Sequence, residues 1–87
     1  KLFGRVHEIT NMESGQSANG QWQRRTLVIE SLDNPSQFTA IDALNDRIKQ
    51  LDNLQVGYAV AVNFSASSRK RDNKWFTNLN LWDVERI

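Results

Sequence analysis

The stretch "LNDRIKQLDNLQVGYAVAVNF" (residues 44–64) changes its apolar period partway along its length. Its first half places Leu44, Ile48 and Leu51 at i, i+4 and i+7, which predicts one apolar stripe on a short helix. In its second half Val60 begins an alternation of period two, which is typical of a strand with one buried face. The stretch therefore predicts a short helix followed by a strand.

Around this stretch the sequence predicts four more strands, three before the helix and one near the end of the chain. They cover residues 2–10, 21–31, 37–43 and 75–85. A polar loop is predicted at 11–20 and a turn around Pro35. Because this element order is that of the OB-fold, we predict a mainly β fold, a five-stranded Greek-key OB-fold barrel with one short helix between strands 3 and 4. An SH3-like barrel and a plain α+β sandwich are the alternatives.

The last predicted strand has an irregular pattern. Leu79 and Leu81 are out of phase with Phe76, Trp82 and Val84. A β-bulge shifts the side-chain phase by one residue and would explain this, as would burial on both faces. Because they share the phase of Val84, Phe76 and Trp82 are interpreted as packing residues.

Length and composition bound the class of protein. The 87 residues are predicted to form a single OB-fold domain over residues 1–87. There is no cysteine, which excludes a disulfide framework, cysteine-ligated zinc and thiol catalysis. The absence of cysteine suits a reducing cytoplasm, which is the location we expect, and since no apolar run approaches the length of a membrane span we expect no membrane partner. The start at Lys1 rather than Met leads us to expect a trimmed or processed chain.

Positive charge is concentrated in "SASSRKRDNKWF" (residues 65–76), between the last two predicted strands. The segment contains four basic residues and one acidic residue, which gives a local net charge of +3 in a chain whose formal net charge is +1. The segment is predicted to be a hairpin loop, which either contacts a polyanion or is simply solvated.

The last two strands carry a family resemblance in "VAVNFSA", then Arg69 in the loop, then "KWFTNLNLWDVE", and "WQRRTLVIE" in the second strand adds to it. These motifs resemble a small bacterial family of unassigned function, described as OB-fold and similar to single-stranded DNA-binding proteins. The resemblance covers residues 2–85. It departs from the family pattern at Thr39, where proline is frequent, and at Tyr58, where an acidic residue is frequent. The resemblance implies the fold more strongly than any activity.

Nucleic-acid binding is the functional hypothesis that the residues favour. OB-fold binders use strands two and three with the loops joining strands 1–2 and 4–5. Basic side chains there pair with phosphates, and exposed aromatic rings stack on unpaired bases. The predicted nucleic-acid-binding residues are Trp22, Arg24, Arg25, Phe38, Arg69, Lys70, Arg71, Lys74 and Trp75. Each tryptophan has the alternative of packing in the core, and alternation places Arg24 and Arg25 on opposite faces.

We therefore predict a non-catalytic protein that binds single-stranded DNA, with RNA as the other candidate ligand, and that forms a homo-oligomer, either a dimer or a tetramer. The alternative is an OB-fold module for protein–protein interaction or oligomerisation, without nucleic-acid binding. Catalysis is not predicted, because His7 is the one histidine and no glycine-rich phosphate loop is present. No cofactor and no metal are expected.

Overall fold

A computed structural model of the protein describes residues 1–18, 20–34 and 36–87. Its described part is mainly β with one short helix, as predicted. In chain order the elements are β1 Leu2–Ile9, β2 Glu13–Ser17, β3 Gly20–Ser31, β4 Phe38–Leu44, a 3₁₀ helix Asn45–Leu51, β5 Ala59–Arg71 and β6 Lys74–Arg86. Of the turn predicted around Pro35, only Pro35 lies outside the described residues, and the amide of Gln37 donates to the carbonyl oxygen of Asn34 at 2.9 Å. Across the described ranges, no helix is long and apolar enough to cross a membrane.

The six strands form one sheet in the order β1-β5-β6-β4-β3-β2. β1 pairs with β5 and also with β3, so the pairings pass in a cycle through β1, β5, β6, β4 and β3. One step of this cycle is a parallel contact, in which Asp42 of β4 pairs with Asn80 of β6. β2 lies outside the cycle and pairs antiparallel with β3.

The apolar core lies between the strands of this cycle and the 3₁₀ helix. In β5, Ala61 is buried as well as its two neighbours, so this strand is covered on both faces there and not only on the face that the alternation predicted. Among the fully buried side chains are Leu27 and Ile29 of β3 and Val60 and Val62 of β5. Burial of each such side chain contributes roughly 1.5–3 kcal/mol. The core is completed by Val6, Ile41, Ala43, Ile48, Leu51 and Leu81.

Strand β2 corrects the predicted count of five strands. It lies within the segment 11–20, which was expected to be a polar loop. Its side chains are almost all exposed and it pairs with β3 through the backbone, so no apolar alternation marks it in the sequence. Asn19, in the connection between β2 and β3, lies outside the described residues.

The helix follows β4 directly and is a 3₁₀ helix. Ile48 and Leu51 are buried, and because residues three apart lie on one side of a 3₁₀ helix, these two form its apolar side. The prediction for Leu44 is wrong. Its backbone is still extended, so it ends β4 and is exposed rather than joining the stripe.

A β-bulge in β6 explains the irregular pattern of the last strand. As β5 advances from Asn63 to Phe64, its partner on β6 moves from Asp83 to Leu81, so Trp82 is the extra residue. The bulge is one of the two explanations that the sequence offered, and it shifts which positions of β6 face the core.

The interpretation of Phe76 and Trp82 as packing residues is wrong. They are 52% and 54% exposed, respectively. The bulge turns Trp82 outward, and Phe76 lies in a part of the hairpin that extends beyond the core.

Candidate nucleic-acid interface

The segment predicted as a basic loop is a continuous β-hairpin. β5 runs to Arg71 and β6 starts at Lys74, which leaves Asp72 and Asn73 as a two-residue turn. The φ angles of the turn residues are 53° and 64°, as a type I′ turn requires, and Asp and Asn tolerate positive φ better than most residues. The basic residues therefore lie on strands, where alternation fixes the face of each one.

The register of the hairpin places four exposed residues on one face. Arg69 is paired with Phe76, and Arg71 is paired with Lys74. Directly paired residues of an antiparallel ladder project from the same side of the sheet. We call the side formed by these four residues the basic face.

The opposite side of the hairpin carries the remaining predicted residues. Lys70 is paired with Trp75 there, and the hydroxyl oxygens of Ser68 and Thr77 lie 2.9 Å apart on the same side. We call this side, formed by Lys70, Trp75, Ser68 and Thr77, the tryptophan face. The adjacent residues Trp75 and Phe76 therefore point in opposite directions, and Phe76 is the ring that lies among the cations.

Among the described residues, no carboxylate forms a salt bridge with the charges of the basic face. The contacts between a basic and an acidic side chain in residues 1–18, 20–34 and 36–87 are His7–Glu30 and Arg24–Glu13, and neither lies on the β5–β6 hairpin. An exposed ring beside unpaired cations offers both a stacking surface and contacts for phosphate groups.

Trp22 lies on the hairpin formed by β2 and β3, where its indole covers a glycine. A Cβ placed on Gly15 would lie 2.5 Å from Cζ2 of Trp22, so an alanine would collide with the ring. The guanidinium carbon of Arg24 lies 5.8 Å from the centroid of the indole. One side of the half-buried ring is thus used for packing against the neighbouring strand.

Arg24 is paired with Glu13 on the neighbouring strand. Its Nη2 donates a hydrogen bond to Oε2 of Glu13, and this bond and the charge of the carboxylate raise the pKa of Arg24 above its ordinary value. The side chains of Arg24 and Glu13 are 40% and 60% exposed, so the pair contributes less than about 1 kcal/mol to stability. Glu13 nevertheless offsets a charge that was predicted to contact phosphate.

Arg25 and Phe38 have other surroundings. Nε of Arg25 donates to the carbonyl oxygen of Thr10 at 2.8 Å, which ties β3 to the end of β1. The exposed ring of Phe38 lies with its centroid 4.5 Å from that of His7. The structure therefore brings three predicted residues together on the basic face. It places the other six elsewhere: Trp22, Arg24, Arg25, Phe38, Lys70 and Trp75.

Side chains of the 3₁₀ helix hold the bulge at Trp82. Arg47 and Gln50 donate to the carbonyl oxygen of Trp82 at 3.1 and 2.8 Å, and the amide of Val84 donates to Oε1 of Gln50 at 3.0 Å. The guanidinium carbon of Arg47 also lies 4.7 Å from the centroid of the indole, within cation–π range. These contacts fix an exposed indole beside a cation.

Two concave surfaces adjoin these residues. An open cleft of about 690 Å³ lies between the β2–β3 hairpin and the 3₁₀ helix and is lined in part by Trp22 and Lys49. A smaller cavity of about 210 Å³ lies beside Trp82 and includes Asp42 and Asn80. Within residues 1–18, 20–34 and 36–87, no group of three or more His, Cys, Asp or Glu side chains is placed to hold a metal ion.

Sequence reasoning missed Phe76, Trp82 and Arg47. Phe76 could have been found from the pair Asp72–Asn73, because these residue types favour a two-residue hairpin turn, and a turn there pairs Phe76 with Arg69. The signal for Trp82 was the phase change, since a bulged residue is re-aimed. Arg47 had no sequence signal, because its contact depends on how the 3₁₀ helix packs against β6.

The chain belongs to the family described as "Domain of unknown function (DUF3127)", whose pattern matches residues 1–85. The predicted membership of a family of unassigned function is confirmed. No curated protein matches the sequence. Among solved structures, the chain is similar to the crystal structure of a small single-stranded DNA-binding protein from Streptomyces coelicolor. The two are 18% identical over 99% of this chain and 90% of that chain, with a TM-score of 0.49.

Proposed function

We propose that this member of the DUF3127 family is a non-catalytic single-stranded DNA-binding protein with an OB-fold barrel. The cycle of pairings through β1, β5, β6, β4 and β3 supports the barrel, with β2 as an addition at its edge. The helix follows β4, which is the third of these five strands in chain order, and this is the position of the helix in the OB element order.

The observation that carries the proposal is the composition of the basic face. It combines Arg69, Arg71 and Lys74 with the exposed ring of Phe76. Cations on a protein surface release the counterions of phosphates, and an exposed ring stacks on an unpaired base with about 1–3 kcal/mol per base. Bases within a duplex are already stacked on each other, so this combination favours a single strand.

The side of β6 that carries the basic face continues onto the outer side of the barrel. Asn80 lies on the same side of β6 as Phe76, and it pairs with Asp42 of β4. Leu44, two residues beyond Asp42, pairs with Arg24 of β3. A strand bound on the basic face therefore has a path across β6, β4 and β3.

One copy of the domain offers few cations, so we expect modest and strongly salt-dependent affinity. A homo-oligomer, either a dimer or a tetramer, would raise the affinity through multivalency. RNA presents the same phosphates and base faces, and it is the other candidate ligand.

A titration of fluorescein-labelled oligo-dT, followed by anisotropy at low and near-physiological salt, tests the proposal. We expect binding that weakens steeply as salt is added. The variant Arg71→Gln should reduce the slope of log affinity against log salt by about 0.7, the value for one phosphate contact on a single strand.

Lys70→Gln is the matched control for this experiment. It removes the same charge from the adjacent position of β5, but Lys70 projects from the tryptophan face. We therefore expect a smaller change in salt slope than for Arg71→Gln. Absence of binding at low salt would rule out the proposed function, and equal changes in the two variants would rule out the basic face as the contact surface.

The second candidate function is a module for protein interaction or oligomerisation. Trp75 is 69% exposed on the tryptophan face, and the partly buried Leu79 and Phe64 lie further along the same side. An exposed indole continuous with core residues favours a protein contact. This function would be supported if Trp75→Ser dissociated an oligomer in sedimentation, Phe76→Ser did not, and no oligonucleotide bound.

A further inference from the structure

We infer that the smaller cavity beside Trp82 receives one base of the bound strand and prefers a base with an exocyclic amine over thymine. This inference rests on the proposed function, because the cavity opens on the path expected for the strand. It goes further in assigning a base preference to a protein whose other features favour binding without sequence preference.

The walls of the cavity suit a flat ring. Trp82 and Arg47 form one wall, with the guanidinium 4.7 Å from the indole centroid, and Leu44 adds an apolar surface. Bases in single-stranded complexes stack on aromatic rings and on arginine guanidinium planes alike. A volume of about 210 Å³ leaves room for one base and not for several.

The polar lining of the cavity is rich in acceptors. Asp42 and Asn80 occupy directly paired positions of β4 and β6, and Ser65 of β5 pairs with Asn80 from the other side. The hydroxyl of Thr26 donates to Oδ1 of Asp42 at 2.9 Å, which fixes the orientation of the carboxylate. A base that enters the cavity therefore meets a carboxylate held in place.

A fixed carboxylate discriminates between bases by their hydrogen-bonding groups. The N4 amine of cytosine donates to an aspartate, whereas thymine presents the O4 carbonyl at the same position and is repelled. The amide of Asn80 can pair with either donors or acceptors and adds a second contact. A well-placed pair of this kind corresponds to about 5- to 150-fold discrimination against the wrong base.

A competition experiment tests the preference. Fluorescein-labelled dT12 is displaced from the intact protein by unlabelled dT12 or by the same oligonucleotide with one central dC, at low salt and pH 7.5. We expect the dC-containing competitor to bind about 5- to 150-fold more tightly. In Asp42→Asn, which keeps an oxygen to accept from Thr26, the preference for dC should be lost, because the amide nitrogen that replaces the other oxygen donates to O4 of thymine.

Asp33→Asn is the charge-matched control, because Asp33 is exposed and does not line the cavity. It should keep the full preference for dC. Equal displacement by the two competitors in the unmodified protein would overturn the cavity inference while leaving single-strand binding intact. A preference that persists in Asp42→Asn would overturn the role of the carboxylate. Absence of dT12 binding at low salt would overturn the proposed function and the inference with it.

Discussion

In the body of the sheet, residues 60–62 of β5 pair with β1 on one side and with β6 on the other, whereas beyond Phe64 the described length of β5 pairs only with β6. The body buries Val60 and Val62 completely, and the hairpin beyond it leaves residues 65–71 and 74–78 exposed on both faces. Stability thus resides in apolar burial at one end of the strand, and the other end keeps its side chains available for a ligand. Substitutions in the two regions should separate stability from binding.

The largest effect is expected in the body. Leu27→Ala removes a fully buried side chain and leaves a cavity, which should lower the free energy of unfolding by about 2–5 kcal/mol. Urea denaturation followed by circular dichroism measures this. The control is Leu32→Ala, since Leu32 is 45% exposed and its loss should change the unfolding free energy by about 0.5 kcal/mol or less. Similar losses in both variants would contradict the conclusion that stability resides in apolar burial.

The next effect concerns binding through the hairpin. Phe76→Leu should weaken oligo-dT binding by about 1–3 kcal/mol, because it removes one stacking surface from the basic face. Its unfolding free energy should stay close to that of the parent protein, since Phe76 lies outside the core. Trp75→Leu is the matched control on the tryptophan face and should leave affinity nearly unchanged. If Trp75→Leu were the more damaging change, the assignment of the two faces would be reversed.

A smaller effect is expected from the turn that holds the hairpin. Asn73→Val places a β-branched residue at a φ of 64°, at a cost of roughly 1–2 kcal/mol. Hydrogen exchange should speed up for the amides of residues 66–71 and remain slow around Leu27. Asn73→Gly is the control, because it creates the Asp-Gly pair that type I′ turns favour. Faster exchange throughout the chain would show that the hairpin and the body unfold together.

The smallest effect is expected where β2 meets β3. Glu13→Gln removes the carboxylate that raises the pKa of Arg24, and the freed guanidinium stays protonated across the neutral pH range. Oligo-dT affinity should rise a few-fold at low salt, and stability should change by less than about 1 kcal/mol. Glu8→Gln, on β1, removes the same charge outside this pair and should leave affinity closer to that of the parent. An unchanged affinity in Glu13→Gln would place Arg24 off the path of the strand.

The parts of the fold that the sequence predicted correctly are those decided by apolar burial. The apolar residues around Val60 identified a core strand, because alternate valines share one face. The phase change near Leu81 indicated either a bulge or burial on both faces, and the structure has the bulge. Each inference needed only the side chains of a single strand.

The features that the sequence did not predict depend on other elements. β2 consists of polar residues and exists because β3 offers a backbone edge to pair with, which leaves no pattern in "ESGQS". The placement of Trp75 and Phe76 on opposite faces depends on the length of the turn. Because the turn has only two residues, the segment that the sequence suggested as a charged loop consists mostly of strand. The wall formed by Arg47 and Trp82 depends on the packing of the helix against β6.

The bulge at Trp82 also limits how the hairpin can change in length over evolution. Between the bulge and the turn, side chains alternate strictly between the two faces of the hairpin. Inserting a single residue into each strand would therefore move Phe76 to the tryptophan face and Trp75 to the basic face. Insertion of two residues into each strand restores the present arrangement. Homologues that keep the function proposed for this chain should therefore have hairpins that differ by even numbers of residues per strand, a parity that an alignment of the family can test directly.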